Sequence, residues 1–193
     1  MNISLSGKTL FSVSERGQVE GNMIIRQESE KDQESVYEVV KSAFATLEIS
    51  NHDEQDLVNR LRKSACFVPE LSLVAEEDGE IVGYILFTEM KAGNTILLAL
   101  APLAVRPDRQ NQKIGSRLVE AGHKIARERG YKGCIVVGHA DYYPKLGYQP
   151  ASKYGITAPF EVPDDNFMAI EFLTGSLNDV SGTIEYAKEF FEH

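Results

Sequence analysis

The stretch Leu103-Ala-Val-Arg-Pro-Asp-Arg-Gln-Asn-Gln-Lys-Ile-Gly-Ser-Arg-Leu118 carries a strand through a polar turn into a helix. Its apolar start ends at Val105, and Pro107 has no N–H with which to extend a sheet ladder. Residues 108 to 113 are all polar or charged, and from Ile114 the apolar positions take up helical spacing. The first turn of such a helix leaves about four N–H groups without intrahelical partners, and the aligned peptide dipoles add about half a positive charge there. A phosphate suits that end. Gly115 has no Cβ, so an anion could approach the backbone closely at that point.

Upstream, the run from Thr95 to Val105 is too continuously apolar for an exposed strand, which predicts burial on both faces. Pro102 within it cannot donate a ladder hydrogen bond, so the strand must bulge or lose a neighbour at that residue. Before it, apolar runs from Leu71 to Glu76 and from Ile81 to Met90 flank Asp78-Gly79, a hairpin signal, and Ala92-Gly93-Asn94 marks the next turn. Downstream, Ile114, Leu118, Val119, Gly122, Ile125 and Ala126 form one stripe on a helix from Lys113 to Arg129, about 25 Å long at 1.5 Å per residue. His123 falls off that stripe and is expected at the surface. Gly130 stops the helix, Cys134 to Val137 reads as a short buried strand, and strand, helix and strand in succession predict a parallel crossover.

Nearer the N-terminus, Met23 opens a strand. Val36, Val39, Val40, Ala43, Phe44 and Leu47 then give a helix from Glu30 to Leu47, and Leu57, Val58 and Leu61 a second from about Asp53 to Lys63. Residues 1–22 are polar and irregular, which predicts a flexible extension ahead of a single domain over residues 23–193. Ser6-Gly7-Lys8-Thr9 is similar to the end of a P-loop, but Asn2 stands where that motif needs its first glycine and no strand precedes it.

With 193 residues, 42% apolar and 25% charged, the chain has the composition of one globular domain. Its net charge of −9 and the absence of a Lys/Arg stripe argue against a nucleic-acid partner, and an acidic surface attracts amines. Cys66 and Cys134 offer neither a disulfide framework nor metal-ligand spacing and are expected as small core residues. No apolar stretch approaches the roughly 20 residues that span a bilayer, and no signal-peptide core opens the chain, so no membrane partner and a cytoplasmic location are expected. No His pair has metal-ligand spacing and no Gly-x-Ser-x-Gly turn is present, so neither a metal nor a covalent intermediate is expected.

Val105, Pro107, Gln110 and Gly115 resemble the acetyl-CoA-binding motif of the GNAT superfamily of N-acyltransferases, Gln/Arg-x-x-Gly-x-Gly/Ala after a strand ending in Val-x-Pro. Lys113 stands where the family usually has its first glycine; its N–H and ammonium could still serve phosphates, provided the backbone there needs no positive φ. The segment from Gly138 to Tyr148 resembles the family's Phe-Tyr-x-Lys-x-Gly-Phe, with Tyr143 on its tyrosine, Lys145 on its basic residue and Gly147-Tyr148 on its Gly-aromatic. The segment from Pro159 to Glu171 is similar to a bacterial subgroup of N-acetyltransferases.

The resemblance spans residues 23 to about 173. It implies an α/β fold of the GNAT type, a mixed, mostly antiparallel sheet with helices on both faces, and transfer of an acetyl group from acetyl-CoA to a primary amine by direct attack. The cosubstrate would be held by Leu103, Ala104 and Val105 at the strand end and by Gln110, Asn111, Gln112, Lys113, Ile114, Gly115 and Ser116 in the turn. Its pantetheine arm would fill a gap beside the strand. Tyr143 would be the general acid that protonates the departing thiolate, and a phenol with a pKa of about 10 is protonated at pH 7 and ready to do so. Tyr142 is expected as a packed aromatic.

Several family members place a carboxylate on the strand before the motif, but residues 96–105 contain none. His52, Glu54, His139 and Asp141 are the candidates for the base, with His139 the best placed. The acceptor would be an amine on a small molecule or protein, and a homodimer is compatible with the reading. The rival is a non-catalytic acyl-CoA-binding or sensing module, which would keep the phosphate turn and have no use for Tyr143.

Overall fold

The computed structural model describes residues 23–45 and 52–192, so the extension expected over residues 1–22 and the end of the first expected helix lie outside the described residues. Strand β1 (Ile24–Gln27) is followed by helices α1 (Gln33–Phe44) and α2 (Glu54–Leu61). A meander then comprises β2 (Phe67–Glu77), β3 (Glu80–Ala92) and β4 (Thr95–Val105). The hairpin turn between β2 and β3 has φ of 51° at Asp78 and 87° at Gly79, the paired positive values of a tight two-residue turn that matches strand twist. Helix α3 (Ile114–Glu128) leads to β5 (Gly133–Val137). The remainder adds four short strands that periodicity did not reveal: β6 (Gln149–Pro150), β7 (Ile156–Thr157), β8 (Phe167–Glu171) and β9 (Gly182–Glu185).

The sheet runs β1-β2-β3-β4-β5-β8-β6, and β9 pairs with the end of β3 and with β7. The β1, β2, β3 and β4 neighbours are antiparallel, β5 lies parallel to β4 as the crossover predicts, and β8 is antiparallel to β5. Alternation along the strands divides the core. On one face Leu73, Ala75, Ile85, Phe87, Leu98, Cys134 and Val136 meet Ile114, Leu118, Val119 and Ala126 of α3. On the other, Val74, Tyr84, Leu86, Ala101 and Ala104 lie under Val36, Val39 and Val40 of α1 and Val58 and Leu61 of α2.

Each fully buried aliphatic side chain contributes about 1.5–3 kcal/mol by leaving water. Gly122 allows α3 to lie close to the sheet: a Cβ there would come within 2.1 Å of Phe87 Cε2, and Phe87 is itself fully buried.

His123 departs from expectation. It is 4% exposed, its Nε2 is 2.9 Å from the Tyr148 hydroxyl, and the rings of Phe87 and Phe172 flank it. Its position, four residues after Val119 and three before Ala126, lies on the inward stripe, and a polar residue type obscured that placement. Burial, followed by the nearby Arg127 charge, pushes its pKa down to about 4, so the ring is neutral near pH 7.

Candidate cofactor and active site

Strands β4 and β5 pair only through Leu98 with Cys134 and Ala99 with Ile135; beyond that they part. A bulge on β4 accompanies the fork. Ile85 of β3 faces Leu103 and Phe87 faces Leu100, so the single residue Leu86 stands opposite both Ala101 and Pro102. The extra residue bends and twists β4, and the proline has no N–H to offer a neighbour at this point. The same end of β4 leads into the polar turn. The fork and the start of α3 are therefore joined by residues 100–113.

The turn closes on itself. Gln110 Nε2 donates to the Val105 carbonyl at 3.2 Å, and the Arg109 N–H donates to the Arg106 carbonyl at 2.8 Å. Arg106 is held by Asp108 and Glu80, and Arg109 lies against Glu77, whereas no ion pair engages Lys113 among the described residues. Gln110, Asn111, Gln112 and Lys113 are exposed, and Gly115 and Ser116 are half-buried. Ala104 and Ile114 point into the core on opposite faces of the sheet, so any contact they make with a ligand comes from the backbone.

Lys113 is at φ 63°, ψ 10°, in the left-handed region, and Asn111 is at φ 61°. The positive φ is the condition under which a lysine at this position is strained, at a cost of about 1–2 kcal/mol. The conformation that the family's glycine would adopt without strain is therefore imposed on Lys113 by the turn.

After β5 the chain folds through a 3-10 turn, Tyr143–Leu146, in which the N–H groups of Tyr142 and Tyr143 donate to the His139 carbonyl at 3.0 and 3.3 Å. The two tyrosine rings meet edge to face, 5.1 Å between centroids and 86° between planes. Tyr143 is 7% exposed, packed over Gly138 and edge-on to Tyr148. Burial raises its pKa, with further increments from Tyr142 and from Cys134, whose strand residue pairs at the fork. Its hydroxyl makes no hydrogen bond among the described residues. Tyr142 is half-buried and is not merely packed: its hydroxyl lies 3.4 Å from Ser116 Oγ, at the first turn of α3.

The candidate bases are dispersed. His139 and Asp141 are exposed beside the tyrosine pair, while His52, with Nδ1 3.1 Å from the Phe44 carbonyl, and Glu54 sit at the entry to α2. A pocket of about 270 Å³ lined by Glu28, Ser29, Gln33, Arg62, Phe67 and Ser72 opens at the β1–β2 edge, away from the fork. Within it Glu28 pairs with Arg62 and accepts from Ser72 Oγ at 2.6 Å. Among the described residues no group of three His, Cys, Asp or Glu could hold a metal, and no helix is long and apolar enough to cross a membrane.

Residues 68–150, from β2 through the tyrosine turn, match the family model of the acetyltransferase (GNAT) domain. The uncharacterised N-acetyltransferase YjhQ of Escherichia coli K12 is 38% identical over 118 residues, which cover 58% of this chain and 65% of that protein. The uncharacterised N-acetyltransferase YhbS of the same strain is 26% identical over 171 residues, covering 87% of this chain and 98% of that one. The crystal structure of Escherichia coli YhbS in complex with CoA superposes with a TM-score of 0.81 at 25% identity, over 89% of this chain and 93% of that one. A GNAT acetyltransferase from Brucella melitensis in complex with acetyl-CoA gives 0.74 at 29% identity, over 88% and 99%. Sequence, fold, and a forked sheet beside a phosphate-suited turn agree: residues 68–150 match the GNAT acetyltransferase domain, and most of the chain is similar in fold to GNAT N-acetyltransferases.

Proposed function

We propose that the protein transfers an acetyl group from acetyl-CoA to a primary amine by direct attack, without a covalent enzyme intermediate. The observation that carries this reading is the fork. β4 bulges at Ala101–Pro102 and leaves β5, and the freed edge leads to a turn whose helix start suits a diphosphate. An extended pantetheine arm, which carries amide groups, suits a strand edge that has lost its neighbour.

Acetyl-CoA supplies the activated thioester; the amine nitrogen forms the new C–N bond at its carbonyl carbon and the C–S bond breaks. Tyr143 gives its phenolic proton to the departing thiolate. Its support is that the residue is largely buried, its phenol is protonated at neutral pH, and its hydroxyl makes no hydrogen bond among the described residues. His139, on the same turn, is our choice for the base that takes the ammonium proton, directly or through water. The net negative charge of the chain favours approach of cationic amines, in a salt-dependent way.

The test is thioester consumption against a panel of small and peptidyl amines, run alongside thermal denaturation with CoA. CoA at about 100 times its Kd is expected to add roughly 2.7 kcal/mol to stability. Stabilisation by CoA with no turnover on any amine would favour a binding or sensing module; no stabilisation would remove the cofactor assignment altogether.

A further inference from the structure

We propose that Tyr142 is a cofactor-binding residue whose hydroxyl donates a hydrogen bond to the diphosphate of CoA. The inference rests on the reading that CoA binds at this turn. A Cβ placed on Gly115 would lie 2.9 Å from the Tyr142 hydroxyl, 3.6 Å from Leu103 Cδ2 and 3.7 Å from Val105 Cγ2. The phenol therefore reaches across from the segment after β5 and ends between the last residues of β4 and the first turn of α3. There the Gly115 and Ser116 N–H groups have no intrahelical acceptor.

The hydroxyl's one partner among the described residues is Ser116 Oγ at 3.4 Å, a long contact for two hydroxyls, which leaves the proton available to a stronger acceptor. The ring is braced edge-on by Tyr143 and its backbone N–H is tied to the His139 carbonyl, so the hydroxyl is held in place before any ligand arrives.

The geometry divides labour between adjacent tyrosines. Tyr143 packs over Gly138, at the end of β5, and edge-on to Tyr148, whereas Tyr142 reaches the start of α3. It also gives Gly115 a second reason to lack a side chain. A methyl group there would point at the phenol and displace it.

The experiment is calorimetric titration of CoA and of pantetheine, which lacks the diphosphate, into the full chain and into Tyr142→Phe, Gly115→Ala and the double variant, with kcat and KM for acetyl-CoA. Losing a hydrogen bond to a charged group is expected to weaken CoA about tenfold in Tyr142→Phe, with pantetheine affinity and kcat unchanged. Gly115→Ala should cost less affinity in the Tyr142→Phe background than in the parent, because the clash with the phenol oxygen is gone and only crowding of the diphosphate remains.

CoA affinity within twofold of the parent overturns the proposal, as does an equal loss for pantetheine. A fall in kcat with unchanged affinity also overturns it, by making Tyr142 the acid. If the parent itself fails to bind CoA, the cofactor assignment falls and the Tyr142 proposal with it.

Discussion

At Tyr143, the proposed acid, hydroxyl and packing are separable, because the ring lies against Gly138 and Tyr148 while the hydroxyl has no partner among the described residues. Tyr143→Phe is therefore expected to keep the fold and acetyl-CoA affinity and to lower kcat by about 10² or more, the usual contribution of a general acid; steady-state kinetics at saturating acetyl-CoA checks it. Unchanged kcat would mean that the thiolate leaves without help from this phenol. Lys113 presents the opposite balance, a left-handed backbone without a left-handed residue. Lys113→Gly relieves that strain, partly offset by the greater freedom of glycine in the unfolded chain, so a net gain of up to about 1 kcal/mol, or roughly 2–4 °C in Tm, is expected. The same variant removes a cation that no carboxylate among the described residues holds, so its CoA affinity should fall and depend less on salt. Sequence alone located both residues and could not supply the φ of one or the direction of the other's ring.

Helix α3 connects the polar turn to the core, and its distance from the sheet is set where Gly122 meets Phe87. Gly122→Ala has nowhere to place its methyl group, since a fully buried ring cannot swing away. Overpacking of about 1–3 kcal/mol is expected despite alanine's better helix propensity, and a lowered urea midpoint with an unchanged slope checks it. A variant as stable as the parent would show that the helix can lift without cost. The bulge in β4 is the matching feature on the strand side. Pro102 announced it in the sequence, and the register with β3 places the extra residue at Ala101–Pro102. The four short strands after β5 were not legible, because two- to five-residue segments carry too little period-2 pattern and are held by partners distant in sequence, as Met168 is by Val136 and Pro150.

For the whole molecule, acid stability follows from a buried neutral histidine. The pKa of His123 falls from 6.5 to about 4 on folding, so the unfolded chain binds the extra proton between those values. The stabilisation is fully present above about pH 6.5 and is lost as pH falls toward 4, amounting to on the order of 3 kcal/mol. Urea unfolding from pH 7 to 4 should show this slope, and His123→Phe should flatten it; an unaltered slope would place the acid sensitivity elsewhere.

The sequence by itself determined the meander, the amphipathic helix, the polar turn and the two motifs, because hairpin turns, helical periodicity and helix starts are local properties of neighbouring residues. Only the tertiary structure decided that His123 is inside, that β4 and β5 part after Ala99 and Ile135, and that of two adjacent tyrosines one reaches Ser116 and the other packs against Gly138 and Tyr148. Those outcomes depend on which distant residues fill the surrounding space. Phe87, Tyr148 and Phe172 enclose the imidazole, and Gly138 and Gly115 make room for the two phenols, although none of these positions is marked by its own neighbours in the chain.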